Sequence, residues 1–194
     1  MVKAGRLRQL PLLNLPPLRK EHGGTIALGR RKLARPVDPK RPLHLVLRSS
    51  RAKGSWSMLA SPHRKRVEHL TKTLAPKFGI KIYRFANVGN HLHLVVKCQT
   101  HEGFKGFLRL LAGKIALTIT HAKKGQPKGK FWDTLAYSRL IEWGKEFETV
   151  KTYIVKNLFE SMGAKRDAMR VFDSDKLIAE LEHSRSKDQI YPVK

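Results

Sequence analysis

Apolar residues recur along the chain with two different periods. Leucine occupies every second position from 43 to 47, with His44 and Val46 between, which is the alternation of a half-buried strand. The same reasoning predicts strands over residues 80–88, 91–97 and 135–141, and Gly89-Asn90 forms the turn between the second and third strands. Helical spacing predicts helices over residues 59–77 and 103–122, and from Lys145 past Leu158.

The order of these elements predicts the fold class. Strand, helix, strand, strand, helix, strand is the βαββαβ order of a ferredoxin-like α+β fold with an antiparallel sheet. The last predicted helix is then an addition at the C-terminal end, with Phe147, Val150, Ile154 and Leu158 as its apolar stripe.

Composition divides the chain into three parts. Residues 1–40 hold five of the ten prolines and are basic and aperiodic, so we expect an N-terminal arm, whose leucine-rich piece at 10–18 can dock on the body. Residues 41–163 carry the predicted elements and form the expected catalytic domain. Residues 164–194 form an expected polar tail with one weak amphipathic stretch at 174–183.

The charge of the chain indicates its partner. Forty Lys and Arg residues face fifteen Asp and Glu residues among 194, a formal charge of +25. A charge of this size repels itself unless a polyanion shares it, so nucleic acid is the expected partner, and a solvated basic surface is the alternative. Ten of the basic residues lie within residues 1–40, so the basicity belongs to the folded body as well as to a terminal segment.

The sequence also excludes several classes of protein. No apolar run approaches the length of a membrane span, and we expect no membrane partner. The first thirty residues lack the apolar block of a signal peptide. The single cysteine, Cys98, forms neither an intrachain disulfide nor a cysteine-based zinc site. We therefore expect a cytoplasmic protein.

Two histidines on one strand are the sharpest chemical signal. His91 and His93 are two residues apart and therefore project from the same face, opposite Leu92 and Leu94. Neighbouring imidazoles on a rigid strand are good metal ligands. Taken alone, such a pair is more often a surface coincidence or a pair of hydrogen-bonded groups.

The final helix adds two polar groups. Tyr153 and Asn157 are one helical turn apart and share a face beside the apolar stripe. Tyr153 alone reads as a core residue with a hydrated hydroxyl. If the helix lies against the face that carries His91 and His93, it offers a phenolic and an amide oxygen to the same cation.

These residues carry a family resemblance over roughly residues 42–160. The run from Asn90 to Leu94, followed by the run from Tyr153 to Asn157, resembles the single-tyrosine HUH transposases, and among them the REP-associated tyrosine transposases. Phe131-Trp132, the strand at 135–141 and the run at 42–46 also match that layout. The resemblance implies an enzyme acting on single-stranded DNA that contains hairpins.

The resemblance also implies roles for individual residues. His91, His93 and Asn157 would hold a divalent cation, and Tyr153 would attack a DNA phosphate to give a 5′-phosphotyrosine intermediate and a free 3′-hydroxyl. An amide oxygen and phosphate oxygens favour Mg²⁺ or Mn²⁺, although two imidazoles also suit zinc. Glu160, seven residues after Tyr153, is a backup ligand.

Many relatives end this helix at Asn-Asn-Pro. Here Asn157 is followed by leucine, which predicts that the helix continues through Leu158.

Basic residues at two places are the candidates for holding DNA. One group lies where the first strand ends and the other flanks a glycine-containing loop that can follow a phosphate backbone. These residues are Arg48, Arg51, Lys53, Lys123, Lys124, Lys128 and Lys130.

Two other functions stay open at this point. The first is a non-catalytic nucleic-acid-binding protein of the same fold, such as an inactive or domesticated relative. The second is an RNA-associated basic protein of ribosomal type, which would not need the two histidines, the tyrosine and the asparagine to meet.

Monomers and dimers both occur in the resembled family, so a homodimer is open as well. The sequence does not specify which hairpin is recognised.

Overall fold

A computed structural model describes residues 20–30, 33–161 and 163. The leucine-rich piece at 10–18 and the weak amphipathic stretch at 174–183 lie outside these residues. Within them the chain forms β1 (Glu21–His22), β2 (Leu43–Arg48), α1 (Ser61–Lys77), β3 (Ile80–Asn87), β4 (His91–Cys98), α2 (His101–Thr120), β5 (Tyr137–Leu140) and α3 (Lys145–Ser161).

The strands form one antiparallel sheet in the order β1-β5-β2-β4-β3. From β5 to β3 this is the ferredoxin-like arrangement, in which α1 connects β2 to β3 and β4 pairs between them. The predicted α+β fold with an added C-terminal helix is confirmed. No helix of the described residues is long and apolar enough to cross a membrane.

The sheet is covered on both faces. The helices α1 and α2 pack on one face over the main core, which includes Leu43, Leu45, Leu92 and Leu94. The opposite face carries a smaller cluster in which Val95 packs with Phe147, Val150 and Ile154 of α3. The predicted apolar stripe of the last helix is therefore what attaches α3 to the sheet, and the helix continues through Leu158 as expected.

The β3–β4 hairpin fixes where β4 begins. Gly89 has φ +93°, a left-handed conformation that glycine adopts at little cost in the turn. Its carbonyl accepts a 2.8 Å hydrogen bond from the Met58 amide, and the Asn90 carbonyl accepts one of 2.8 Å from the Ser49 amide. These bonds tie the turn to the segment that follows β2, so His91 starts its strand from a fixed point.

Part of the segment predicted as an arm packs on the sheet. Strand β1 pairs with β5 at the sheet edge, and the Arg35 guanidinium donates hydrogen bonds to the Ser138 hydroxyl (2.5 Å) and to the Ala136 carbonyl (2.8 Å). Periodicity did not predict β1, because two residues carry no alternation. Residues 20–30 and 33–40 thus complete one edge of the body, while the three-part division of the chain stays a prediction.

Candidate active site

The two predicted histidines lie together on the face of the sheet that α3 covers. His91 and His93 have ring centroids 4.6 Å apart and a T-shaped arrangement. Leu92, Leu94 and Val96 point to the opposite layer, as the alternation predicts. His93 is 3% exposed, whereas His91 is the first residue of β4 and is half-buried.

Helix α3 brings Tyr153 to these histidines. Its ring centroid is 5.8 Å from that of His93, and the two planes are almost perpendicular. Tyr153 itself is 49% exposed, because it stands beside the apolar stripe that contains Ile154. Because about half of its surface is in solvent, the Tyr153 side chain is open to a large substrate.

His44 is a third histidine at the same place, and it was not among the predicted site residues. Its ring lies 6.2 Å from that of Tyr153, and its Nε2 is 3.3 Å from His93 Nδ1. It pairs in register with Val95 of β4 and with Arg139 of β5. The alternation in β2 does place His44 opposite the leucines, but alternation alone does not say which strand becomes the neighbour.

The environment keeps these imidazoles neutral. Burial, followed by the charge of Arg139, lowers the pKa of His44 to about 4. Burial, followed by His91 and His44, lowers the pKa of His93 to about 3. The pKa of His91 is also lowered, by burial and by Arg48. A neutral imidazole has a nitrogen lone pair for a cation, so the lowered pKa values of His91 and His93 favour ligation.

The lowered pKa of His93 predicts a specific acid sensitivity. In the unfolded chain His93 binds a proton below about pH 6.5, whereas in the folded protein it does so only below about pH 3. Because the unfolded state binds more protons in this interval, the free energy of unfolding falls with falling pH, by about 1.4 kcal/mol per pH unit at most. We expect the free energy of unfolding of the metal-free protein to fall more steeply between pH 7 and pH 5 than that of a His93→Gln variant. Urea titrations at several pH values measure this, with exposed His69→Gln as the control. Equal slopes in wild type and His93→Gln would contradict the expectation.

Asn157 and Glu160 lie further along α3. Asn157 is half-buried, and its amide nitrogen donates a 2.8 Å hydrogen bond to the Tyr153 carbonyl one turn earlier. This bond uses Nδ2, so Oδ1 is the end of the amide that suits a hard cation. Among the residues that the structure describes, Asn157 makes no hydrogen bond to a histidine. Glu160 is exposed, two turns after Tyr153 and near the end of the helix.

The nitrogens of the two strand histidines fit a cation. His91 Nδ1 lies 2.6 Å from Asn90 Oδ1; because a carbonyl oxygen only accepts, Nδ1 carries the proton and Nε2 keeps its lone pair. His93 Nε2 is buried without a hydrogen-bond partner among the described residues. No three His, Cys, Asp or Glu side chains in this part of the chain form a cation site of their own. Any cation would therefore need ligands of other types.

A second tyrosine near the site is held by its own partner. The Tyr137 ring is 6.4 Å from that of His44, but its hydroxyl donates a 3.0 Å hydrogen bond to Glu21 of β1. Burial and this carboxylate raise the pKa of Tyr137 to about 12. Tyr137 is therefore harder to ionise than an ordinary phenol, and its hydroxyl is already engaged with Glu21.

Three of the predicted DNA-binding residues, Arg51, Lys128 and Lys130, come together in the structure. The Arg51 guanidinium donates to the Lys128 carbonyl (2.8 Å) and to the Lys130 carbonyl (2.9 Å), which fastens the loop at 123–130 to the end of β2. Arg48 pairs in register with His91, and its side chain is 70% exposed. We call these two hydrogen bonds the Arg51 clasp. The sequence did not predict them, because they join segments about eighty residues apart.

The remaining predicted basic residues extend this surface. Lys53 is exposed and precedes the short 3₁₀ turn Gly54–Trp56. Lys123 and Lys124 lie in the same loop as Lys128, where Lys123 forms a β-bridge with Gln126. We call Arg48, Arg51, Lys53, Lys123, Lys124, Lys128 and Lys130 the basic surface.

Comparison of the fold with solved structures gives a related architecture. One match is a structure of a REP-associated tyrosine transposase bound to a REP hairpin, with a TM-score of 0.51 and 14% sequence identity. The match covers 68% of this chain and 74% of that chain. At this identity it shows a common fold. No curated protein matches the sequence.

The sequence itself supplies the family. Residues 41–157 match the model of the family described as IS200-like transposases, a region that includes both strand histidines and ends at Asn157. The chain therefore belongs to the IS200-like transposase family, and the predicted resemblance to single-tyrosine transposases is confirmed.

Proposed function

We propose that this transposase is a metal-dependent enzyme that cleaves and rejoins single-stranded DNA through a 5′-phosphotyrosine intermediate. In this proposal Tyr153 is the nucleophile, His91, His93 and Asn157 hold Mg²⁺ or Mn²⁺, and Glu160 is a backup ligand. Its substrates are strands that carry hairpins, as in the REP hairpin bound by the transposase of similar fold.

The observation that carries the proposal is the position of the Tyr153 ring. It lies within 5.8 Å of the His93 ring, centroid to centroid, although sixty residues separate the two in sequence. It is also half exposed, whereas a tyrosine with a purely structural role on α3 would be expected among Phe147, Val150 and Ile154. A phenol beside a neutral imidazole that can hold a cation supports cation-assisted attack on a phosphate.

The chain's residues divide the work of the reaction. When bound, a divalent cation would draw charge from a non-bridging phosphate oxygen and so favour attack at phosphorus. His91 and His93 provide nitrogen ligands from a rigid strand, and Asn157 provides an amide oxygen from the same helix as Tyr153. Because nucleophile and amide are one turn apart on α3, the packing of that helix on the sheet sets both positions together.

The proposed step balances without an external energy source. The Tyr153 oxygen forms a bond to phosphorus, its proton passes to solvent, and the bond from phosphorus to the 3′-oxygen breaks. That oxygen takes up a proton and leaves as a 3′-hydroxyl. The phosphotyrosine retains a phosphodiester, so the hydroxyl of a second strand can reverse the step and join the strands.

The basic surface supplies the electrostatic hold on DNA. Arg48 connects this surface with the site, because it lies opposite His91 in the β2–β4 register. In this proposal the lysines in the loop at 123–130, which Arg51 fastens to the end of β2, follow the phosphates that lead to the site.

Removing two loop charges is expected to weaken DNA binding and its salt dependence. For a Lys124→Ala, Lys128→Ala double variant, each lost phosphate contact reduces the slope of log Kd against log salt by about 0.7 for a single strand. Fluorescence anisotropy with a hairpin-bearing oligonucleotide at several salt concentrations measures this. The matched control is a Lys65→Ala, Lys114→Ala double variant, which removes one exposed lysine from α1 and one from α2. Equal losses in both double variants would show that net charge, and not this surface, holds the DNA.

Cleavage of a hairpin-bearing oligonucleotide tests the function. A 3′-labelled strand incubated with Mg²⁺ or Mn²⁺ should give a species of protein size that survives denaturing electrophoresis, and EDTA should prevent its formation. Salt-dependent binding with neither cleavage nor adduct in any tested cation would instead support the non-catalytic nucleic-acid-binding function.

A further inference from the structure

His44 contributes a ring nitrogen to the site that no step of the reaction uses. Its Nε2 lies 3.3 Å from His93 Nδ1, the ring planes are within 11° of parallel, and the centroids are 5.5 Å apart. At this separation the rings are edge to edge, with the two nitrogens between them. His44 is 8% exposed, so this contact is screened from water.

The contact has two forms, which differ in what they leave on His93. If His44 Nε2–H donates, His93 accepts at Nδ1 and, when neutral, carries its proton on Nε2, where it cannot ligate. If His93 Nδ1–H donates, its Nε2 keeps a lone pair. His93 Nε2 is the buried atom without a hydrogen-bond partner in the described residues. A buried N–H left unpaired costs free energy, whereas a lone pair available to a cation gives the atom a function.

The neighbouring histidine has the same arrangement. His91 Nδ1 lies 2.6 Å from Asn90 Oδ1, an atom that only accepts, so His91 carries its proton on Nδ1. The structure thus gives each strand histidine its own partner at Nδ1, namely Asn90 for His91 and His44 for His93. Partners of this kind fix the tautomer and the ring orientation of metal-ligating histidines.

We propose that His44 is a positioning residue whose Nε2 accepts a hydrogen bond from His93 Nδ1–H and thereby holds His93 in the tautomer that can bind a cation through Nε2. This inference rests on the proposed function, because it assigns His44 a role toward the cation of that site. His44 does not contact the cation in this account, and it takes no part in proton transfer to or from Tyr153.

Two variants of His44 separate positioning from packing. His44→Leu removes the acceptor, whereas His44→Gln keeps a side-chain oxygen that can accept from His93. In the metal-free wild type at neutral pH, the ¹⁵N shifts of the His93 ring should show a proton on Nδ1. His44→Leu should populate the Nε2–H tautomer and weaken Mn²⁺ binding, measured without DNA, by about 10–100-fold. His44→Gln should recover most of both.

Each outcome decides the inference. A proton on Nε2 of His93 in the wild type would overturn it, as would Mn²⁺ binding by a folded His44→Leu at wild-type affinity. If His44→Leu fails to fold, the wild-type tautomer and the Mn²⁺ affinity of His44→Gln decide it. If the tautomer and affinities are as expected but the wild type forms no covalent adduct with a hairpin-bearing oligonucleotide, the proposed function fails while the role of His44 stands.

Discussion

Replacement of Tyr153 by phenylalanine is expected to abolish the covalent protein–DNA adduct, with a loss of at least about 1,000-fold in the rate of cleavage. The substitution removes only the oxygen that we propose as the nucleophile. The ring remains to pack against His93 and His44, from which it is separated by 5.8 Å and 6.2 Å between centroids. Folding and affinity for the hairpin-bearing oligonucleotide should therefore stay close to wild type. Single-turnover cleavage and anisotropy, measured on the same preparation, provide the test.

Two other tyrosines serve as matched controls for this substitution. Tyr83 packs against Trp143 and Phe147, with centroids 5.5 Å and 5.4 Å away, so Tyr83→Phe should leave cleavage unchanged. Tyr137 is the rival nucleophile because its ring also lies near His44, at 6.4 Å. Loss of the adduct in Tyr137→Phe, together with wild-type adduct formation in Tyr153→Phe, would reverse the assignment.

Replacement of His91 by alanine is expected to have the second largest effect. His91 is half-buried at the start of β4, so its removal leaves the core of the sheet intact. Because the variant lacks one of the two proposed imidazole ligands, cation-stimulated cleavage should drop by about 100-fold or more, and higher Mn²⁺ concentrations should restore part of it. Cleavage rates over a Mn²⁺ titration measure both effects.

A histidine outside the site is the control for this loss. His69 is exposed on α1, and His69→Ala should leave the Mn²⁺ dependence of cleavage unchanged. Thermal unfolding of both variants separates a defect in ligation from a defect in folding. Cleavage by His91→Ala with the wild-type Mn²⁺ dependence would remove His91 from the ligand set.

Those parts of the fold that bury a continuous stripe could be predicted from the sequence. The alternation in β2 and β4 follows from the need to place leucines under α1 and α2, and the stripe of α3 follows from its packing on Val95. Strand β1 could not be predicted, because it is held by backbone pairing with β5 and by nearby contacts, none of which leaves a periodic pattern.

The candidate site divides along similar lines. Local spacing places His91 beside His93 and sets Asn157 one turn from Tyr153, whereas the approach of α3 to the histidines depends on tertiary packing that periodicity does not contain. His44 was missed for that reason: it belongs to the site because β2 pairs with β4 in one particular register. The Arg51 clasp likewise depends on a contact between distant segments.

The central claim is that the phenol of Tyr153 becomes bonded to DNA. Protease digestion of the wild-type adduct, followed by tandem mass spectrometry, identifies the residue that carries the nucleotide. We expect a nucleotide attached through its 5′-phosphate to Tyr153 and to no other tyrosine. A nucleotide on Tyr137 or another residue, or complete cleavage with no modified peptide, would contradict it.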